Sequence, residues 1–329
     1  MAGQTSPAPA QPNPNPSPAN LPPNNLLPTN LLLGALLMLA AMVLLPIMDG
    51  LAKGLSERYP VLQVVWARYL FHLIAMLPLV LMRYKPRQLV PRRAGLQLLR
   101  GTMLLAGTAL FFGGLAQLPQ ATVLALFFVS PLVVTVLAPL LLGERVGLWR
   151  ILAVVVGFAG VILILRPGSG TLSWGAALAL GAGVVHGFYM IFTRRLAGSA
   201  PPLVTLGYTA VVGAVIMSVV MLFVWVTPTP VDFLLMILVG VLAAGGHFLI
   251  IKAFDHAPAT FLAPLGYAEM VTAILYGFLA YGHLPDPLGW FGIAVIVGAG
   301  VAVTLWESRG ARRRPLRAFR ELRSNGPKR

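Results

Sequence analysis

The sequence predicts an all-α integral membrane protein with ten transmembrane helices arranged as two inverted five-helix repeats. Three observations lead there. Of 329 residues, 58% are hydrophobic and only 10% charged, against roughly 25% charged in soluble domains. Residues 101–143 and 196–231 carry no charge at all, and one bilayer crossing takes about 20 mostly apolar residues. The second half of the chain also aligns with the first.

Residues 1–28 hold nine prolines and no charge, a composition that favours a solvated, disordered tail over a packed core. The segment lacks the basic start and compact apolar stretch of a cleaved signal peptide. Turn signals and charge clusters then divide the chain into spans at about 30–52, 61–82, 96–116, 120–142, 147–165, 173–193, 203–226, 232–253, 259–281 and 287–306. The long uncharged stretch is broken at "QLPQ", residues 117–120, because a continuous helix there would be about twice the bilayer thickness. The domain reading is a tail over 1–28, repeats over 29–166 and 173–306, and a basic cytoplasmic tail over 307–329.

Charge orients the spans. With both termini cytoplasmic, 20 of the 24 basic residues fall inside. They are Arg83, Lys85, Arg87, Arg92, Arg93, Arg100, Arg145, Arg150, Arg194, Arg195, Lys252 and nine in the C-terminal tail. Lys53, Arg58 and Arg166 fall outside, and Arg68 lies within a span. The location is the inner (cytoplasmic) membrane, multi-pass. The tail lifts the net charge to +15, and on such a protein its partner is anionic membrane lipid rather than nucleic acid.

Shifting the chain by 138 residues lays 117–137 on 255–275 with six of 21 positions identical, and a shift of 140 lays 147–165 on 287–305 with six more. Five spans per copy is odd, so the second copy enters the membrane from the opposite side. Inverted repeats of this kind place a central site at the interface of the halves, where rocking exposes it to each side in turn. The function expected is transport, by alternating access, of a small-molecule metabolite, with a coupling proton as a second partner.

Four stretches carry a resemblance to a known family: "DGLAKGLSERYPVLQVVWARYL" (49–70), "RGTMLLAGTALFFGGLAQLPQAT" (100–122), "SPLVVTVLAPLLLGERVG" (130–147) and "APLGYAEMVTAILYGFLAYGHLPDPLGWFGIAVIVGAG" (263–300). The chain resembles the EamA-type members of the drug/metabolite transporter superfamily over nearly all of 30–306. The last stretch is similar to the branch of S-adenosylmethionine and riboflavin uptake carriers. The resemblance implies a ten-helix inner-membrane carrier of small organic metabolites with a central cavity lined by both repeats. One turn departs from it, since Gly143–Glu144 of the first repeat becomes Gly282–His283 in the second.

Glu269 is the residue to explain. It lies about ten residues, roughly 15 Å, from the inner end of its span, where an unpaired charge costs at least about 2.5 kcal/mol. It is therefore protonated, paired or facing a wet cavity, and each state suits binding of a substrate or a proton. Arg68, roughly 10 Å from the outer face, is its natural partner, and His72 adds a second polar group one turn deeper on the same face. The repeat sharpens this reading, because Glu269 aligns with Pro131 and Arg68 falls near Gly207. Charges have been added to a duplicated frame.

Asp49 and Lys53 are spaced to pair on one helix face, as an outer gate or an interfacial ion pair. Pro131 and Pro264 break matching helices, freeing the carbonyls of Phe127 and Thr260. Tyr267 points away from Glu269, while Phe128 and Ser130 occupy the equivalent stretch of the first repeat and offer ring and hydroxyl contacts. His186 and His247 read as hydrogen-bonded helix contacts, or else as proton relays.

The chain has no cysteine, and its histidines lack the spacing of a metal site, so no metal and no cofactor is expected. An enzyme is not expected either. The rival reading, a membrane-embedded enzyme acting on a lipid-linked substrate, needs acids or histidines gathered near one face, and the loops offer only isolated Glu57, Asp232, Asp255 and Asp286.

Overall fold

The computed structural model describes residues 30–91, 93–143, 147–165, 173–196 and 198–324. The N-terminal tail of 1–28, the positions Arg92, Glu144, Arg145 and Arg166, and the side chains of the basic tail lie outside the described residues. The described residues form helices joined by short turns, and no strand occurs among them.

The elements are α1 (Leu31–Ser56), α2 (Val61–Arg83), α3 (Pro86–Leu89), α4 (Ala94–Leu115), α5 (Gln120–Phe127), α6 (Ser130–Leu142) and α7 (Leu148–Leu165). They continue with α8 (Trp174–Arg195), α9 (Pro202–Val224), α10 (Pro230–His256), α11 (Ala259–Leu262), a 3-10 turn (Ala263–Tyr267), α12 (Ala268–Tyr281) and α13 (Pro287–Ser324). Among the described residues eight are long and apolar enough to cross a bilayer, counting α5 with α6 and the 3-10 turn with α12 as one unit each. Of the ten expected spans, the fifth and tenth correspond to shorter apolar stretches, Ile151–Leu165 and Pro287–Val303. Helix α13 does not stop at 306 as the composition suggests but runs on to Ser324.

Local chemistry sets the ends. The Asn30 side chain accepts from Leu33 N at 3.0 Å, and Ser173 and Thr229 cap α8 and α10 in the same way. Such caps satisfy amides that the first helical turn leaves without partners. Both α6 and α12 terminate on a glycine in the left-handed region, Gly143 at φ 68° and Gly282 at φ 67°, which a side chain would strain.

Packing is helix on helix. Helix α1 lies along α10 and α12, α4 along α8 and α9, α2 along α9 and α10, α6 along α8, and α7 along α13. The buried core is built of Met, Leu, Val and many alanines, small residues that let backbones approach where lipid supplies no hydrophobic drive. The outside is apolar too. Leu140, Leu222 and Phe223 are 77%, 78% and 82% exposed, a surface that suits lipid and not water.

Candidate functional site

Two helices are interrupted in mid-span, and the interruptions place the site. Pro131 stands in the first turn of α6, and Pro264 in the first turn of the 3-10 segment. Each ring lacks the amide and clashes with the carbonyl one turn back, which favours a break there, although Pro46, Pro78 and Pro139 are accommodated inside α1, α2 and α6. Helix α6 begins at Ser130 and α12 at Ala268, the same 138-residue offset that relates the two sequences.

Glu269 follows directly, in the first turn of α12, where the helix dipole favours negative charge. It lines a central cavity of about 240 Å³ together with Asp49 of α1, Arg68 of α2, His186 of α8 and His247 of α10. Phe111, Phe112 and Phe127 supply much of the apolar wall. Among the described residues no hydrogen bond or ion pair reaches the Glu269 carboxylate. Helices from both halves of the chain therefore surround a few polar groups in an otherwise apolar chamber, the usual composition of a small-molecule site.

Arg68 is buried and held from several sides. Its Nη1 donates to Thr108 Oγ1 at 3.3 Å, and its Nη2 lies 3.5 Å from His247 Nε2. A guanidinium only donates, so His247 must accept there. The Arg68 Cζ also sits 5.1 Å from the centre of the Tyr69 ring, a cation–π contact. Arg68 and Glu269 share the cavity without forming an ion pair.

The other candidates divide. Phe128, Ser130, Pro131 and Tyr267 line a second cavity of about 300 Å³ bounded by α6, α7, α8 and α13. Phe128 and Tyr267 meet edge to face at 5.5 Å. His186 borders both cavities and is the side chain between them. Pro264 shapes the break but lines neither cavity. His72 also lines neither. It is buried behind His247, with ring centres 5.7 Å apart, and its Nε2 has no partner.

Three expectations change. Asp49 and Lys53 do not pair, because Lys53 Nζ donates to the carbonyls of Leu115 at 2.7 Å and Leu118 at 3.1 Å. The first is the last carbonyl of α4, with no intrahelical donor, and the second lies in the turn that follows, so the ammonium finds better acceptors there and Asp49 is left to the cavity. Arg100 is not a loop charge. It is buried in α4 and donates to Thr193, Thr205, Thr209 and Tyr189 at 2.6 to 3.3 Å, joining α4 to α8 and α9. Asp232 is not an isolated loop acid. It pairs with Arg58 at 2.6 Å and accepts from Tyr59 at 2.8 Å and Thr229 at 2.9 Å. Gln63 adds a reciprocal pair with the Val226 backbone at 2.7 and 3.0 Å. These bonds tie the α1–α2 turn to the α9–α10 turn. Among the described residues no group of three His, Asp or Glu side chains could hold a metal ion.

The broken helix rests on Gly183 of α8. A Cβ there would lie 2.7 Å from the Phe127 carbonyl oxygen and 2.5 Å from Val129 Cγ1. Gly183→Ala is expected to cost about 1–3 kcal/mol, because backbone must move to admit it. At Gly181 the nearest atom is a Leu110 methyl at 3.6 Å, so Gly181→Ala serves as the neutral control. Thermal unfolding of both variants in detergent checks the difference.

Residues 32–166 and 173–306 each match the EamA-like transporter family. The chain is 27% identical to the S-adenosylmethionine uptake transporter of Rickettsia prowazekii, over 82% of this chain and 91% of that one. It is 29% identical to the riboflavin transporter of Vibrio cholerae, over 81% and 91%. The pseudopaline exporter of Pseudomonas aeruginosa is 27% identical over 78% and 91%. A solved crystal structure at 19% identity superposes with a TM-score of 0.61 over 84% of this chain and 98% of its own, a likeness of fold.

Proposed function

Because the chain belongs to the EamA-like transporter family, we propose that it is a secondary active transporter that moves a small organic metabolite across the cytoplasmic membrane by alternating access. One observation carries the reading: Asp49, Arg68, His186, His247 and Glu269 converge from five helices, two in the first half and three in the second, on one cavity. Charged groups at that depth in a bilayer are otherwise hard to account for.

Ten spans in two inverted repeats are the frame of this reading, and the packing supports it. Exchanging each helix for the one five spans on turns α1 against α10 into α8 against α4, turns α2 against α10 into α9 against α4, and returns α7 against α13 to itself. The matched starts of α6 and α12 and their left-handed glycine ends agree with it. Rocking one half on the other would open the cavity to either side. On this reading both termini are cytoplasmic, a choice supported by the basic bias that survives without Arg100. A reporter fused after Arg329 should read cytoplasmic, and a periplasmic reading overturns the orientation.

Two carboxylates against one guanidinium favour a substrate with a cationic group, or a coupling proton in its place. S-adenosylmethionine and riboflavin, named for the relatives, are the first compounds to test. In proteoliposomes a carrier gives saturable uptake that speeds up when the same compound is preloaded inside. Uptake that rises linearly without saturation, or conversion of a lipid into product, rejects the reading.

A further inference from the structure

A third recess is unrelated to the two cavities. It runs between α2 and α9 and is closed at one end by α3, with a volume of about 260 Å³ and walls that include Leu77, Val80, Leu81, Leu89, Gly207 and Val211. None of its lining residues borders either cavity of the proposed transport path. Its one polar side chain, Tyr208, is committed, donating to the Leu89 carbonyl at 2.8 Å and so pinning α3 over the end of the groove. Leu77 and Leu81 are 44% and 55% exposed, so the recess opens sideways onto the apolar surface of the bundle. In a membrane the occupant of such a groove is hydrocarbon, since water gains no hydrogen bonds there.

Charge identifies which hydrocarbon. The chain that links the groove residues Leu81 and Leu89 carries Arg83, Lys85 and Arg87, all exposed, and Arg93 follows, also exposed. Helices α2, α3, α4 and α9 contain no Asp or Glu, so nothing on the walls offsets those cations. An apolar slot under a basic rim, at the end of a membrane-spanning helix, matches an acyl chain beneath a phosphate. We propose that the α2–α9 groove binds an anionic phospholipid, with an acyl chain along Leu81, Gly207 and Val211 and the headgroup phosphate on Arg83, Lys85 and Arg87. None of the residues lining the groove comes from the basic C-terminal tail.

Native mass spectrometry of the purified full chain, titrated with phosphatidylglycerol or with phosphatidylcholine, tests it. The wild type should retain one phosphatidylglycerol in preference to phosphatidylcholine. A basic residue near the membrane surface contributes about fivefold, so replacing Arg83, Lys85 and Arg87 together with Gln should weaken retention by about 100-fold. Those side chains are exposed, so the variant keeps the fold. Gly207→Trp fills the groove independently, in a position where an added Cβ meets nothing closer than Val80 at 3.8 Å, and should also release the lipid. Removing residues 309–329 should leave retention unchanged. Equal binding of both lipids, indifference to both groove variants, loss on tail removal, or a dimer that Gly207→Trp dissociates would each overturn the proposal.

Discussion

Glu269→Gln is expected to stop transport while leaving the protein folded. The side chain stands at the start of α12 and lines the central cavity, and no hydrogen bond or ion pair among the described residues depends on it. Glutamine keeps its shape and removes the charge and the proton site. A hydrogen bond to a charged group contributes about 1.5–3 kcal/mol, so substrate binding should weaken by about 10- to 150-fold. The thermal midpoint in detergent should stay near that of the wild type, since no partner is orphaned. The two measurements separate function from architecture. A lowered midpoint with normal flux would mean that Glu269 holds helices together and does not serve the cavity.

Arg68→Gln should be harmful in both respects. The guanidinium bonds Thr108, contacts His247 and lies against Tyr69, and it is the cation among the side chains that line a cavity containing Asp49 and Glu269. Without it, two carboxylates share a poorly solvated space, where like charges repel strongly. Loss of its charged hydrogen bonds alone should cost about 1.5–3 kcal/mol of stability. Combining the change with Asp49→Asn removes one of the two acids, so the double variant should be more stable than the sum of the singles predicts. A coupling of about 0.5–3 kcal/mol is the size seen for residues of one network. Transport should not return. Additive stabilities would show that Asp49 and Arg68 do not sense each other.

Much of this was legible in the sequence because it depends on local pattern. Helix lengths follow apolar runs, the breaks follow Pro131 and Pro264, and left-handed ends follow Gly143 and Gly282. Glu269 and Arg68 stood out because a charge within an apolar run is costly wherever the run folds. What could not be read depends on distant partners. Lys53 has the spacing to bond Asp49, yet the open carbonyls of Leu115 and Leu118 lie more than 60 positions away. Arg100 follows a basic cluster and looks like part of it, until Thr193 and Thr209 come to it from two later helices. Asp232 needed Arg58 and Tyr59 from the other half. His186 and His247 left both readings open, helix contact or proton relay, because a histidine on an apolar helix reads the same whether it meets a neighbour or a ligand. The division of Phe128, Ser130 and Tyr267 into a second cavity was equally out of reach, since the helix breaks fix where each side chain turns.

The central claim is that the cavity around Glu269 faces each side of the membrane in turn. The absence of native cysteine allows a single thiol to be placed at Ile250 of α10, which lines this cavity, as Ile250→Cys, and challenged with a membrane-impermeant reagent from one side of oriented vesicles and then from the other. A carrier predicts modification from both sides with no passage of the reagent through the protein. Modification from one side only, or free passage between the two, would contradict it.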